Sequence, residues 1–216
     1  MKETKQKIDG AYMTPQDIVD KMIDFTPVEW FKGNILEPTA GTGNIVNAIL
    51  NKKVQIGMIP QEAIDTTFAN EFDVGRYKEL LHRIELWCEY AGAKVNYNNI
   101  TNQNARSMSM GDLDYKVITN LPFGSWGNAI LPRQIINNLN KPAVYLTKWS
   151  TGCNQKFCKS VIKFENIEFP GIVYDCLLWQ YDPNVVFDEP QVWLYWPIPR
   201  FPKHKLKKRY TKREEC

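Results

Sequence analysis

The sequence predicts an α/β fold built on a doubly wound, mostly parallel sheet with an antiparallel edge. Short β-type runs alternate with amphipathic segments over the first 150 residues, the rhythm of strand–helix–strand units. Glycine-rich or Asn/Asp-rich turns follow several of those runs. Beyond residue 160 the chain turns to aromatic and β-branched strand signal with no helical period, which implies final strands pairing antiparallel at one edge.

The elements follow in order. "TPQDIVDKMIDF" reads as a helix, with Thr14 as its cap, Pro15 in its first turn and Ile18, Met22, Ile23 and Phe25 as its apolar stripe. "GNILEPTAGTGNIVNAILNKK" reads as a short strand, a glycine-rich turn and a second helix. "TTFANEFDVGRYKELLHRIELWCEYAG" repeats that pattern, with Gly92 ending the helix. "AKVNYNN" is expected to be the third strand, "YKVITNLPF" the fourth, "AILPRQIINNLN" a helix despite Pro132, and "PAVYLTKW" the fifth strand. "VQIGMIPQEAID" and "ITNQNARSMSMGDL" fit neither period and read as long loops.

Bulk properties narrow the classes. A chain of 216 residues with 44% hydrophobic and 24% charged residues suits one soluble domain. We expect that domain over residues 1–200, followed by a basic tail at 201–216, where "KHKLKKRYTKREEC" concentrates the positive charge. The tail reads either as a phosphate-neutralising segment or as a solvated terminus; Lys148, Lys156, Lys159 and Lys163 are candidates to extend a basic surface. Five scattered cysteines with no C-x-x-C pair, and only two histidines, argue against a zinc site or a disulfide framework, so no metal is expected. The polar start "MKETKQKIDG" lacks the apolar core of a signal peptide, and no apolar run is long enough to span a bilayer. The expectation is a soluble intracellular protein. Among the seven tryptophans, core packing is the reading for most; Trp126, beside the fourth strand, is a candidate stacking surface.

Three turns carry candidate chemistry. In "ILEPTAGTGN", Gly41 and Gly43 let the backbone turn tightly and approach a ligand. In "FANEFD", Glu71 stands at a strand C-terminus, where a carboxylate can accept from both ribose hydroxyls. In "YNNIT", Asn99 (or Asn98) could bracket an adenine edge, with a turn-forming Asn pair as the equal alternative.

"YMTPQDIVDKMID", "ILEPTAGTGN", "NEFD" and "ITNLPFG", in that order, resemble the S-adenosylmethionine-dependent adenine-N6 DNA methyltransferases of restriction–modification systems and phages. The resemblance spans roughly residues 10–180 and implies the seven-stranded Rossmann-like methyltransferase fold. It implies that Tyr12, Thr14 and Pro15 flank the methionine end of S-adenosyl-L-methionine. It further implies that Glu37, Ala40, Gly41 and Gly43 form the turn beneath the cofactor, that Glu71 holds the ribose, and that Asn99 stands where the family more often has Asp. Asn120, Leu121, Pro122 and Phe123 would be the target-base site: two acceptors draw on the amino hydrogens and Phe123 stacks on the base. Leu121 replaces the proline usual in the family, yet the position would supply only its carbonyl. The ribosomal RNA adenine dimethyltransferases, with Asn-Leu-Pro-Tyr or Asn-Ile-Pro-Tyr, are similar at this loop.

The implied function is methylation of adenine N6 in DNA, in a bacterial or phage-infected cytoplasm, with a nucleic-acid partner and room for a partner subunit in target recognition. The alternatives are an RNA adenine-N6 enzyme, protein-glutamine methylation, and a non-catalytic nucleic-acid-binding subunit of the same fold.

Overall fold

The computed structural model describes residues 13–122, 130–148, 151, 157–169 and 176–189. Seven strands form one sheet in the order β3-β2-β1-β4-β5-β7-β6. They are β1 (Ile35–Glu37), β2 (Thr67–Asn70), β3 (Ile100–Thr101), β4 (Lys116–Asn120), β5 (Ala143–Lys148), β6 (Val161–Ile167) and β7 (Cys176–Tyr181). The first five pair in parallel, and β7 runs antiparallel between β5 and β6. This is the expected doubly wound sheet with an antiparallel edge.

Helices α1 (Gln16–Phe25), α2 (Asn44–Gln55), α3 (Pro60–Asp65), α4 (Val74–Ala91) and α5 (Ile130–Leu139) surround it. α1 and α2 bury Ile18, Met22, Ile45 and Ile49 against Ile35, Ile118, Val144 and Leu146. α5 covers the other face, where Ile135, Ile136 and Leu139 meet Leu36, Val117 and Tyr145. Because β5 and β7 are sandwiched on both faces, their sequences are almost unbroken apolar runs rather than alternations. Edge strand β6 is the exception: its middle is solvent-facing and carries Lys163 and Glu165, charges that discourage further pairing.

Local chemistry sets the helix ends. Thr26 closes α1, its hydroxyl donating to the Met22 carbonyl at 2.8 Å. Asp73 caps α4 by accepting from Arg76 N at 3.0 Å, and Gly92 closes that helix. No helix among the described residues is long and apolar enough to cross a membrane.

Four expectations change. The segment before β2 is not all loop, because Pro60 at a first helical position starts the short helix α3, which buries Ala63 and Ile64. The third strand lies later than expected: Tyr97–Asn99 is a 3-10 turn and only Ile100–Thr101 pairs with β2. Thr14 does not cap α1, whose N-terminal flank is Pro15 with no side-chain cap. The expected loop 100–113 gives its first two residues to β3, and the rest is a packed loop, since Ala105 and Met108 are buried in the same cluster as α5. Trp179 is the core residue expected, donating from Nε1 to Thr147 Oγ1 at 2.9 Å.

Candidate functional site

Parallel strands aim their C-termini at one rim of the sheet, and chain direction reverses between β1, which leads outward to β2 and β3, and β4, which leads to β5. The crevice at such a switch point is where open α/β sheets bind ligands. A cavity of about 1010 Å³ opens there, at the upper end of the roughly 300–1,000 Å³ typical of small-molecule sites. Its wall runs from Thr14 through Pro38–Thr42 and Glu71–Arg76 to Asn104–Arg106, and then to Asn120–Pro122, Leu131 and Ile135.

The glycine turn forms one wall. Gly41 has φ +58°, and a Cβ built there would meet nothing within 4 Å among the described residues. Gly43 has φ +96° and a Cβ there would lie 2.9 Å from Leu80 Cδ1, so this glycine lets α4 pack against the start of α2. Glu71 crosses to the turn: Oε2 accepts from Gly41 N at 2.9 Å, and Oε1 accepts from Asp73 N at 2.8 Å and Arg76 Nε at 3.1 Å. Arg76 completes an ion pair with it at 3.0 Å. A carboxylate offers about four lone-pair sites, so capacity on Oε2 remains.

Glu37 ends β1 wholly buried. Its Oε1 accepts from Thr119 Oγ1 at 2.5 Å, Thr39 N at 3.0 Å and Thr39 Oγ1 at 3.3 Å, whereas Oε2 has no partner among the described residues. Burial pushes its carboxyl up to about 8 against these bonds. Glu37 thus lies under the turn rather than on the cavity wall, joining β1 to β4.

At the end of β4, Asn120 Nδ2 donates to Thr14 Oγ1 at 2.9 Å, while its buried Oδ1 has no partner among the described residues. The next residue shows why leucine stands in this loop. Leu121 is buried in the cluster that also holds Leu36, Val117 and Leu177, and its N–H donates to the Leu146 carbonyl at 3.1 Å. A proline would forfeit both the donor and part of that packing.

The structure therefore places Thr14, Ala40, Gly41, Glu71, Asn120, Leu121 and Pro122 around one cavity, with Glu37 and Gly43 bracing the turn and Pro15 flanking α1. Asn99 does not belong to it. It precedes β3, at the opposite end of that strand, and its Nδ2 donates to the carbonyls of Ile64 and Asp65. The rim beyond β3 carries Asn102 and Asn104 instead; Asn102 donates to the carbonyls of Glu71 and Phe72. Tyr12, Phe123, Trp126, Lys156 and the basic tail lie outside the described residues. Of the candidate surface lysines, Lys159 and Lys163 donate to the Asp188 and Phe25 carbonyls.

Sequence reading missed Thr39, Asn70 and Asn44. Thr39 Oγ1 bridges Glu37, Thr119 and the Asn120 carbonyl. Asn70 Nδ2 ties the Pro38 carbonyl to that of Gln103 at 2.9 and 3.0 Å, joining two rim loops. Asn70 left a visible signal, a polar residue closing the apolar strand "TFAN".

No family model and no curated protein matches the sequence. Solved structures match the fold. A modification subunit of a candidate type I restriction enzyme from Vibrio vulnificus superposes with a TM-score of 0.58 and 16% identity, over 83% of this chain and 46% of that one. A candidate methyltransferase complexed with SAH gives 0.55 and 15%, over 82% and 54%. A candidate RNA methyltransferase from Pyrococcus horikoshii gives 0.52 and 16%, over 84% and 91%. The chain thus spans about half the length of the first two. At these identities the likeness is one of fold, the Rossmann-like arrangement that these proteins share.

Proposed function

We propose that the chain transfers a methyl group from S-adenosyl-L-methionine to the exocyclic N6 of adenine in DNA. The observation that carries this reading is Asn120, a residue of the cavity wall whose amide nitrogen is fixed by Thr14 while its buried oxygen is an unmatched acceptor among the described residues. An amino group with two hydrogens is the partner that this oxygen and a neighbouring main-chain carbonyl suit.

The cavity fits the cofactor. Open backbone at Gly41 can lie against it, and the free capacity of Glu71 Oε2 suits a ribose hydroxyl. S-adenosyl-L-methionine held against Gly41 and Glu71 would supply a sulfonium methyl to N6, leaving S-adenosylhomocysteine and one amino proton released to solvent. The protein prepares the nitrogen. The N6 lone pair is delocalised into the ring, and acceptors at Asn120 Oδ1 and the Leu121 carbonyl favour the tetrahedral nitrogen in which that pair is localised. Leu121 serves because only its main chain is asked for. The base must arrive unpaired or flipped from the duplex.

RNA is the second reading, favoured by the leucine at this loop. Radiolabelled transfer to adenine-containing DNA and RNA oligonucleotides, followed by nucleoside mass spectrometry, separates the two. Failure to form N6-methyladenine on either, with cofactor binding demonstrated, would replace both with a nucleic-acid-binding subunit.

A further inference from the structure

Thr14 lies 106 residues from Asn120 and belongs to the segment leading into α1, yet it makes the hydrogen bond that orients the Asn120 amide. Only 6% of Thr14 is exposed. Its own main chain is gripped in turn: Asn44 Nδ2 donates to the Thr14 carbonyl at 3.0 Å, and Arg83 Nη1 donates to Asn44 Oδ1 at 2.8 Å. Arg83 is steadied by Glu79, one helical turn away on α4, at 3.0 Å. A continuous chain of polar contacts therefore runs from α4, through the first residue of α2, to the end of β4.

A carboxamide is chemically two-faced: rotated by half a turn, it presents donors where it had presented an acceptor. Among the described residues Asn120 has one hydrogen-bonded end and one unpartnered end, so whatever fixes the first decides which face the second offers. The Thr14 oxygen accepts from Nδ2, which leaves Oδ1 as the free end. With the hydroxyl removed nothing opposes the flip, and the flipped amide would set its NH₂ against the amino group of the target.

We infer that Thr14 is a positioning residue for methyl transfer, selecting the acceptor face of Asn120, and that Asn44 and Arg83 hold Thr14 in place. The inference rests on the reading of Asn120 proposed above. A flipped population is also a nonproductive one, so the loss falls on the chemical step rather than on cofactor affinity.

The test compares Thr14→Val, which keeps shape and β-branching, with Thr14→Ser, which keeps the hydroxyl. Single-turnover transfer to an adenine oligonucleotide should slow about 10- to 100-fold in Thr14→Val, the range for a misdirected polar group. Cofactor dissociation constants should change less than the single-turnover rate, the split that separates positioning of Asn120 from Thr14's place on the cavity wall. Thr14→Ser should return the rate to within about threefold of wild type. Asn120→Asp has no donor end to misdirect, so in that background Thr14→Val should cost less than about threefold, a coupling read from the double-mutant cycle. The Asn120 side-chain amide resonances should also shift in Thr14→Val without substrate. Wild-type rates in Thr14→Val, or equal losses in both backgrounds, would overturn the positioning role alone. A wild-type protein that binds cofactor but methylates neither nucleic acid would overturn the reading of the site and this role with it.

Discussion

Thr119 Oγ1 donates a 2.5 Å hydrogen bond to Oε1 of Glu37, joining adjacent strands β4 and β1 beneath the candidate site. Glu37 is fully buried and its carboxyl titrates near 8 instead of its ordinary 4.5, because burial penalises the charge. Between those values the folded protein keeps a proton that the unfolded chain has released. Stability therefore falls as pH rises, by about 1.4 kcal/mol per unit for one such group. From pH 5 to 7 wild type should lose about 2–3 kcal/mol that Glu37→Gln does not lose. Lys53, pulled down to about 7 by burial, is charged in both states over most of that window and leaves the comparison clean. Urea melts of both proteins at the two pH values provide the check; parallel pH profiles would mean that Glu37 is ionised throughout.

The two turn glycines should fail in different ways. Gly43→Ala drives a Cβ to 2.9 Å from Leu80 Cδ1 at φ +96° and should destabilise the fold by about 1–3 kcal/mol. Gly41→Ala meets no atom within 4 Å, so its stability cost should be near 1 kcal/mol. Its methyl stands on the cavity wall, however, and should weaken cofactor binding at least tenfold if the ligand lies as close as Gly41 allows. Melting curves paired with calorimetric titration separate the two effects.

The parts of this molecule legible in the sequence are those that repeat a physical pattern. β5 and β7 announce themselves as apolar runs because helices and neighbouring strands bury them on both sides. α4 is bracketed by Asp73 and Gly92, whose chemistry marks its two ends. β3 is too short for a pattern, with two paired residues. Periodicity therefore places its end too early, at Asn99, whereas the rim holds Asn102 and Asn104. The Thr14–Asn120 contact leaves no periodicity at all. Nothing in "MTPQD" says that its threonine reaches β4 rather than capping the adjacent helix.

Glu71 combines two jobs that a substitution can separate. Its bonds to Gly41 N and Arg76 hold the turn, while its remaining lone pair suits a ribose. Glu71→Gln keeps one acceptor oxygen and removes the charge facing Arg76. Cofactor affinity should fall about tenfold or more, with a stability loss near 1 kcal/mol for a part-exposed ion pair. An unchanged dissociation constant would remove Glu71 from the ligand-binding set.

Asn120→Ala deletes the acceptor and the anchoring bond to Thr14 together. Loss of one preorganised transition-state acceptor costs on the order of 100- to 1,000-fold in kcat. Cofactor binding should persist because Asn120 acts on the target base, so the ratio of the two losses is the informative quantity. Equal losses in both would place Asn120 among the cofactor contacts instead.

Leu121→Pro tests why this loop departs from the usual proline. The substitution removes the Leu121 N–H bond to the Leu146 carbonyl and a side chain buried in the core cluster beneath α5. Loss of the bond and of that apolar contact should destabilise the protein by about 2–4 kcal/mol. The carbonyl of residue 121 survives, and Pro122 biases the residue before it toward an extended backbone in either protein. At a temperature where the variant is folded, its single-turnover rate should therefore stay within about tenfold of wild type. A stable but inactive variant would reverse the assignment: the side chain of Leu121, rather than its carbonyl, would then be what the reaction requires.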